Sequence, residues 1–129
     1  MRVALAAALL ASLGVVAAAP ASTAPRTALT ITYWAQGEGA AKTWTLRCGP
    51  LGGTHPHRAA ACRKLAATPA PFRPIPKDAV CTMQYGGPQV ALVRGTHRGS
   101  RVWTYFRFRD GCEIERWKRV VPLLPSPDA

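Results

Sequence analysis

Acidic residues are scarce in this chain: six Asp and Glu stand against 17 Lys and Arg, for a formal charge of +11. Such a deficit favours contact with polyanions, nucleic acid, anionic envelope polymers or acidic proteins. The basic residues, however, run dispersed from Arg26 to Arg119 with no block of five or six. That pattern is what solvated faces of strands and helices look like, and it argues against specific nucleic-acid recognition. No two cysteines stand at the C-x-x-C spacing of a zinc site, so metal is not expected. Gly-x-Ser-x-Gly, a P-loop and His-Glu-x-x-His are all missing. Ser100 is the only serine in the middle of the chain, and His97 shares its turn; no orienting acid stands beside them, which speaks against a serine nucleophile. A small ribonuclease assembled from His55, His57, Glu113 and Glu115 is a weak enzyme reading, because nothing fixes those groups relative to one another. No cofactor motif, internal repeat or sustained heptad is present.

What is there begins with an export signal. Arg2 is a minimal positive region, Val3 to Ala19 is an apolar run of 17 residues, and Ala19-Pro20-Ala21 is an A-x-A-like cleavage site. The run is short and alanine-rich for a membrane span, which needs about 20 residues, and no second one follows. Residues 1–21 therefore read as a signal peptide, with Ala17 to Ala19 the alternative cleavage region. The expected localisation is secreted and extracellular, with no membrane anchor after cleavage. Residues 22–28 read as a flexible tail, 29–121 as one domain and 122–129, with Pro122, Pro125 and Pro127, as an extended C-terminal tail.

The 108 residues after position 21 suffice for one thin-margined domain. Four cysteines in a small exported domain read as two disulfides. Three pairings are possible, and sequence order favours Cys48–Cys62 and Cys81–Cys112. By chain entropy these contribute roughly 3 and 3.7 kcal/mol.

Leu29 to Tyr33 alternates as a strand, and Thr43 to Cys48 alternates again with Trp44, Leu46 and Cys48 on one face. Gly49 to Gly53 reads as a loop. His57 to Ala67 is alanine-rich and predicts a short helix burying Ala61 and Leu65. Thr68 to Pro76 carries four prolines and predicts an extended connector around Phe72 and Ile75. Val90 and Leu92 mark a strand. After the turn at Gly95 to Gly99, Arg101 to Phe108 returns with Val102, Thr104, Phe106 and Phe108 on one side. The other side mixes Trp103, Tyr105, Arg107 and Arg109, as a solvated or subunit-covered face does. Cys112 to Val121 predicts a second helix burying Ile114 and Trp117. The expected class is α+β, an antiparallel sheet with two short helices and two disulfides.

One segment does not fit a structural role. Met83 is a large, flexible apolar residue two positions after Cys81, with turn residues Gly86, Gly87 and Pro88 beyond it. A side chain held out on a covalently tethered loop suits bait: an extended strand offered to a protease in a conformation that needs no further ordering.

The chain resembles the bacterial subtilisin inhibitors of the Streptomyces type. Leu46-Arg47-Cys48 with Pro50 is similar to that family's L-x-C-x-P, and Gly53-Thr54-His55-Pro56 to its G-T-H-P, followed by Ala61-Cys62 and Leu65. Asp78-Ala79-Val80-Cys81-Thr82-Met83 resembles the approach to its reactive loop. Gly95-Thr96, Gly99, Arg101-Val102, Phe108 and Cys112-Glu113 resemble the family's turn, strand and late cysteine segment on the C-terminal side of that loop. The resemblance implies an antiparallel sheet with two helices, disulfides joining first cysteine to second and third to fourth, and a homodimer formed through the sheet. It implies a reactive bond at Met83–Gln84, with Cys81, Thr82 and Tyr85 as flanks and Met83 entering the primary pocket of a subtilisin-like or chymotrypsin-like serine protease. The chain would then be no enzyme, the catalytic groups belonging to its partner. Asp110 stands where the family often has a loop-bracing asparagine, which marks it as candidate loop support. Tyr85-Gly86-Gly87-Pro88 replaces the commoner Tyr-Asp-Pro, and the added glycine is expected to soften the loop. A non-inhibitory basic binding protein on the same scaffold is the alternative.

Overall fold

The computed structural model describes residues 11–18 and 26–127. The expected cleavage site and most of the expected leader lie outside the described residues; residues 11–18 are exposed and carry no helix or strand. Among the described residues no helix is long and apolar enough to cross a membrane.

Five strands form one antiparallel sheet: β1 (Thr27–Trp34), β2 (Lys42–Cys48), β3 (Gly52–Gly53), β4 (Val90–His97) and β5 (Ser100–Phe106), in the order β3-β2-β1-β4-β5. Two helices, α1 (Arg58–Ala67) and α2 (Gly111–Lys118), complete the fold. β1 occupies the centre because it alternates most strictly, and both of its edges are paired: Leu29 lies between Leu46 and Gly95, and Ile31 between Trp44 and Val93. Pairing starts at Thr27, opposite Cys48 and His97, two residues before the alternation becomes visible.

Period two sends Leu29, Ile31, Leu46, Ala91, Val93, Val102 and Phe106 to one face, where all are buried. Ala61 and Leu65 from α1, and Ile114 and Trp117 from α2, cover that face. In β4 the inward residues are Ala91 and Val93; Val90 and Leu92, the larger cues in the sequence, belong to the opposite register. β3 is a two-residue pairing inside the expected loop, where Gly52 and Gly53 face Arg47 and Leu46.

Disulfides join Cys48 to Cys62 and Cys81 to Cys112, one tying α1 to the end of β2 and the other tying the segment before β4 to α2. Beyond α2 the chain is not an extended tail. It turns, and Leu123 and Leu124 are fully buried, so the segment folds back onto the core.

The proline-rich connector is held by α2. Prolines supply acceptors without donors, and arginine supplies donors without acceptors. Arg119 Nη2 donates to Pro69 O at 2.9 Å, while Arg116 donates through Nε to Arg73 O at 2.9 Å and through Nη2 to Phe72 O at 3.4 Å. The Arg116 guanidinium also reaches Tyr105 O and Thr104 Oγ1, each at 2.7 Å, and lies 4.0 Å over the Phe106 ring. Burial pulls its pKa below the ordinary arginine value, Glu113 draws it back up and Arg119 lowers it further. One half-buried cation thus joins α2, β5 and the connector that leads to Cys81.

Candidate functional site

From Ala79 to Gln89 the chain has no helix or strand and runs along the N-terminal end of α2. Three attachments hold it. The Cys81–Cys112 disulfide is the first. The second is the Gly111 amide, donating to Thr82 O at 3.0 Å, and the third is the Gly86 amide, donating to Phe108 O at 2.8 Å. Residues Met83, Gln84 and Tyr85 bridge the last two points without a backbone attachment of their own. Met83 is 94% exposed and Tyr85 65%, and Val80 ahead of the disulfide is 99% exposed. A methionine side chain is ordinarily buried; this one stands clear on a span only three residues long.

Two glycines make the attachment possible. A Cβ on Gly86 would overlap the Phe108 ring and come within 2.9 Å of Ile114 Cδ1. A Cβ on Gly111 would overlap Thr82 Oγ1 and sit 3.3 Å from Thr82 Cβ. The chain lies so close to Phe108 and to the first turn of α2 that neither position has room for a side chain. Gly86 was expected to soften the loop; its placement shows that it closes a contact. Gly87 beside it has φ +147, a conformation that only glycine adopts readily.

Asp110 lies at the foot of the loop. Its carboxylate caps α2 by accepting from Glu113 N at 2.9 Å, and no described loop residue bonds to it. Glu113 accepts in turn from the Arg109 amide at 3.1 Å and its guanidinium at 3.4 Å. This reciprocal cap fixes the helix start, and the helix start presents the Gly111 amide to Thr82. Asp110 therefore meets the loop only by way of the helix start that it caps. Asp110, Cys81 and Cys112 also bring donor atoms within 4.8 Å of one another, but both sulfurs are used in the disulfide and one carboxylate is left, a poor donor set for a metal.

Of the residues of the enzyme readings, His55 and His57 are neighbours, and Glu113 and Glu115 are engaged on α2. His55 is buried, its Nε2–H donating to Leu123 O at 2.9 Å and its Nδ1 accepting from the His57 amide at 3.0 Å. With both nitrogens engaged, the ring is held in one neutral tautomer. Burial lowers its pKa from 6.5, the Leu123 carbonyl opposes this and His57 adds to it. Glu113 is occupied at the cap of α2, and Glu115 stands 4.0 Å from Lys118. His97 bonds Thr27 Oγ1 at 3.0 Å and packs edge-on against Phe72, so it does not serve Ser100.

Cys81, Thr82, Met83, Gln84 and Tyr85 are thus contiguous on one presented span, with Asp110 behind it. Sequence reasoning missed Gly86, Gly111 and Phe108 as anchors. The available signal was the pair of glycines facing an aromatic residue and a helix N-terminus across the disulfide.

A family model described as Subtilisin inhibitor-like matches residues 24–109. The chain is 41% identical over 71 residues to a probable subtilase-type protease inhibitor of Streptomyces avermitilis, covering 53% of this chain and 49% of that protein. It is 36% identical over 77 residues to subtilisin inhibitor-like protein 1 of Streptomyces cacaoi, over 56% of this chain and 69% of the relative. It is also 36% identical over 87 residues to protease inhibitor SIL-V1/SIL-V4 of Streptomyces netropsis, over 64% and 78%. Against the first of these the chain spans about half the relative's length.

Proposed function

The chain belongs to the subtilisin inhibitor-like family, and we propose that it inhibits subtilisin-like and chymotrypsin-like serine proteases by offering Met83–Gln84 as a substrate-like bond. The observation that carries this is the 94% exposure of Met83 between two backbone attachments and beside a disulfide. A protease binds its substrate as an extended strand with one side chain in a primary pocket. Here the strand is already ordered, so little conformational entropy remains to be lost on binding. After cleavage, the new end at Met83 would stay held through Thr82 and Cys81, and the new end at Gln84 through Gly86. Held ends can rejoin, which keeps turnover slow. The serine and histidine of the reaction come from the protease; this chain contributes position only. An unbranched apolar methionine suits an apolar pocket, and none of the arginines stands at the bait position.

The apolar run from Val3 to Ala19 and the two disulfides support an exported protein. A homodimer through the outer sheet face is the further part of the proposal. Trp103 is 63% exposed on that face, and Tyr105 packs edge-on against it at 5.2 Å.

Titrating subtilisin with the oxidised protein should abolish activity near one site per protomer; steady degradation of the protein with no loss of protease activity would refute the proposal and favour a non-inhibitory binding protein. Met83→Lys should shift preference to trypsin-like enzymes, and an unchanged profile would place the bait elsewhere.

A further inference from the structure

At the opposite end of β1 and β2 from Thr27 and Cys48, four segments enclose a cleft of about 520 Å³ that includes no residue of the Met83 loop. Tyr33 and Trp44 form an aromatic wall, their rings 6.2 Å apart and inclined by 21°. His55 continues it, 5.9 Å from Trp44. The turn at residues 121–126 closes the other side, fixed by buried Leu123 and Leu124 and by the His55 bond to Leu123 O. The cleft is therefore formed before any ligand arrives, of a size and apolar lining suited to small molecules.

Among the described residues the rim carries one formal charge, the Lys42 ammonium. Lys42 and His57 are both exposed there, and among the described residues no Asp or Glu lines the cleft. Among the described residues neither the Lys42 ammonium nor the His57 ring takes part in a salt bridge or side-chain hydrogen bond. An apolar aromatic slot with two unengaged nitrogen groups at its mouth fits a flat ring carrying an anion at one end. We propose that this cleft binds a planar aromatic carboxylate, with the ring against Trp44 and Tyr33 and the carboxylate at Lys42 and His57. Residues 80–89 take no part, so the site is separate from the inhibitory loop.

The probes are 2-naphthoate and its neutral counterpart 2-naphthalenemethanol, titrated into the full oxidised protein and followed by the Trp44 indole N–H and the Lys42 and His57 signals in NMR. A carboxylate bonded to a charged donor gains enough for the acid to bind about tenfold tighter than the alcohol. The double variant Lys42→Gln, His57→Gln, altered only at exposed positions, should still bind the alcohol and lose the preference for the acid. Inhibition of subtilisin should be unaffected by naphthoate. Equal affinity of the two probes would overturn the proposal. So would a preference that survives in the double variant, or shifts centred on Arg94 and Arg101 of the sheet, since the carboxylate would then be a counter-ion to the basic surface.

Discussion

Replacing Gly86 with alanine tests whether the Met83 span is rigid because its ends are attached. The new Cβ has no room against Phe108, and Ile114 Cδ1 is 2.9 Å away. Forcing a methyl into packed surroundings costs about 1–3 kcal/mol. The chain can avoid that by lifting, at the loss of the Gly86 N–H to Phe108 O bond, about 1 kcal/mol. Lifting is the cheaper outcome, since the loop is exposed and the disulfide still holds its other end. Stability then falls by about 1 kcal/mol, or roughly 4–8 °C in Tm for a domain of this size.

The consequence for binding is larger. Met83, Gln84 and Tyr85 lose their second attachment and must be ordered again when the protease binds. At about 1–2 kcal/mol of backbone entropy per residue, three residues amount to roughly 3–6 kcal/mol, which raises the inhibition constant about 10²- to 10⁴-fold. The assay is tight-binding inhibition of subtilisin beside calorimetric unfolding, with Met83–Gln84 cleavage followed by mass spectrometry. Expected are a modest fall in Tm, a large rise in the inhibition constant and faster cleavage. An inhibition constant within about threefold of the parent's would refute the reasoning, because prepaid order would then contribute little.

Arg116→Met removes the two shortest guanidinium bonds, to Tyr105 O and Thr104 Oγ1; at about 1.5 kcal/mol or more each the loss is roughly 3 kcal/mol and more than about 10 °C in Tm, and a fall under about 3 °C would contradict the clamp. His55 and His97 both have folded pKa values below 6.5, chiefly through burial. Their stabilisation is therefore complete above pH 6.5 and is lost as pH falls through the lower folded values; unfolding followed from pH 7.5 to 5 should show Tm falling, less steeply in His55→Gln, and a rise would reverse the sign. The outer sheet face carries Arg47, Arg94, Arg101 and Arg107, and no strand contains Asp or Glu. Two such faces about 10 Å apart repel by about 0.4 kcal/mol per facing charge pair in unscreened water. Lowering salt from about 0.15 to 0.01 M lengthens the screening distance from about 8 to 30 Å, so sedimentation should show a dimer roughly threefold weaker at low salt, and a dimer strengthened at low salt would rule out this face.

How far the sequence carried depended on whether its cues were local. Strict alternation at Leu29–Tyr33 and Thr43–Cys48 marked two strands because period two is visible in a few residues. The alanine-rich run and the cysteine order likewise pointed to α1 and to both disulfides. β4 was harder, since its inward residue opposite Tyr33 and Phe106 is Ala91, and a small residue gives little hydrophobic signal. The C-terminal segment read as a tail because prolines end regular structure; the His55 bond to Leu123 O spans 68 positions of the chain and leaves no local cue. At the loop, the exposed methionine and its disulfide were visible in the chain, but the anchors were not. Gly86 carries no side chain to signal a role, and its meaning lies in Phe108, 22 positions later. Glycine in a tether can mean freedom or contact, and only the surface opposite decides which. Here the opposite surface is an aromatic ring and a carbonyl, so the residues that looked like slack are what hold the presented span in place.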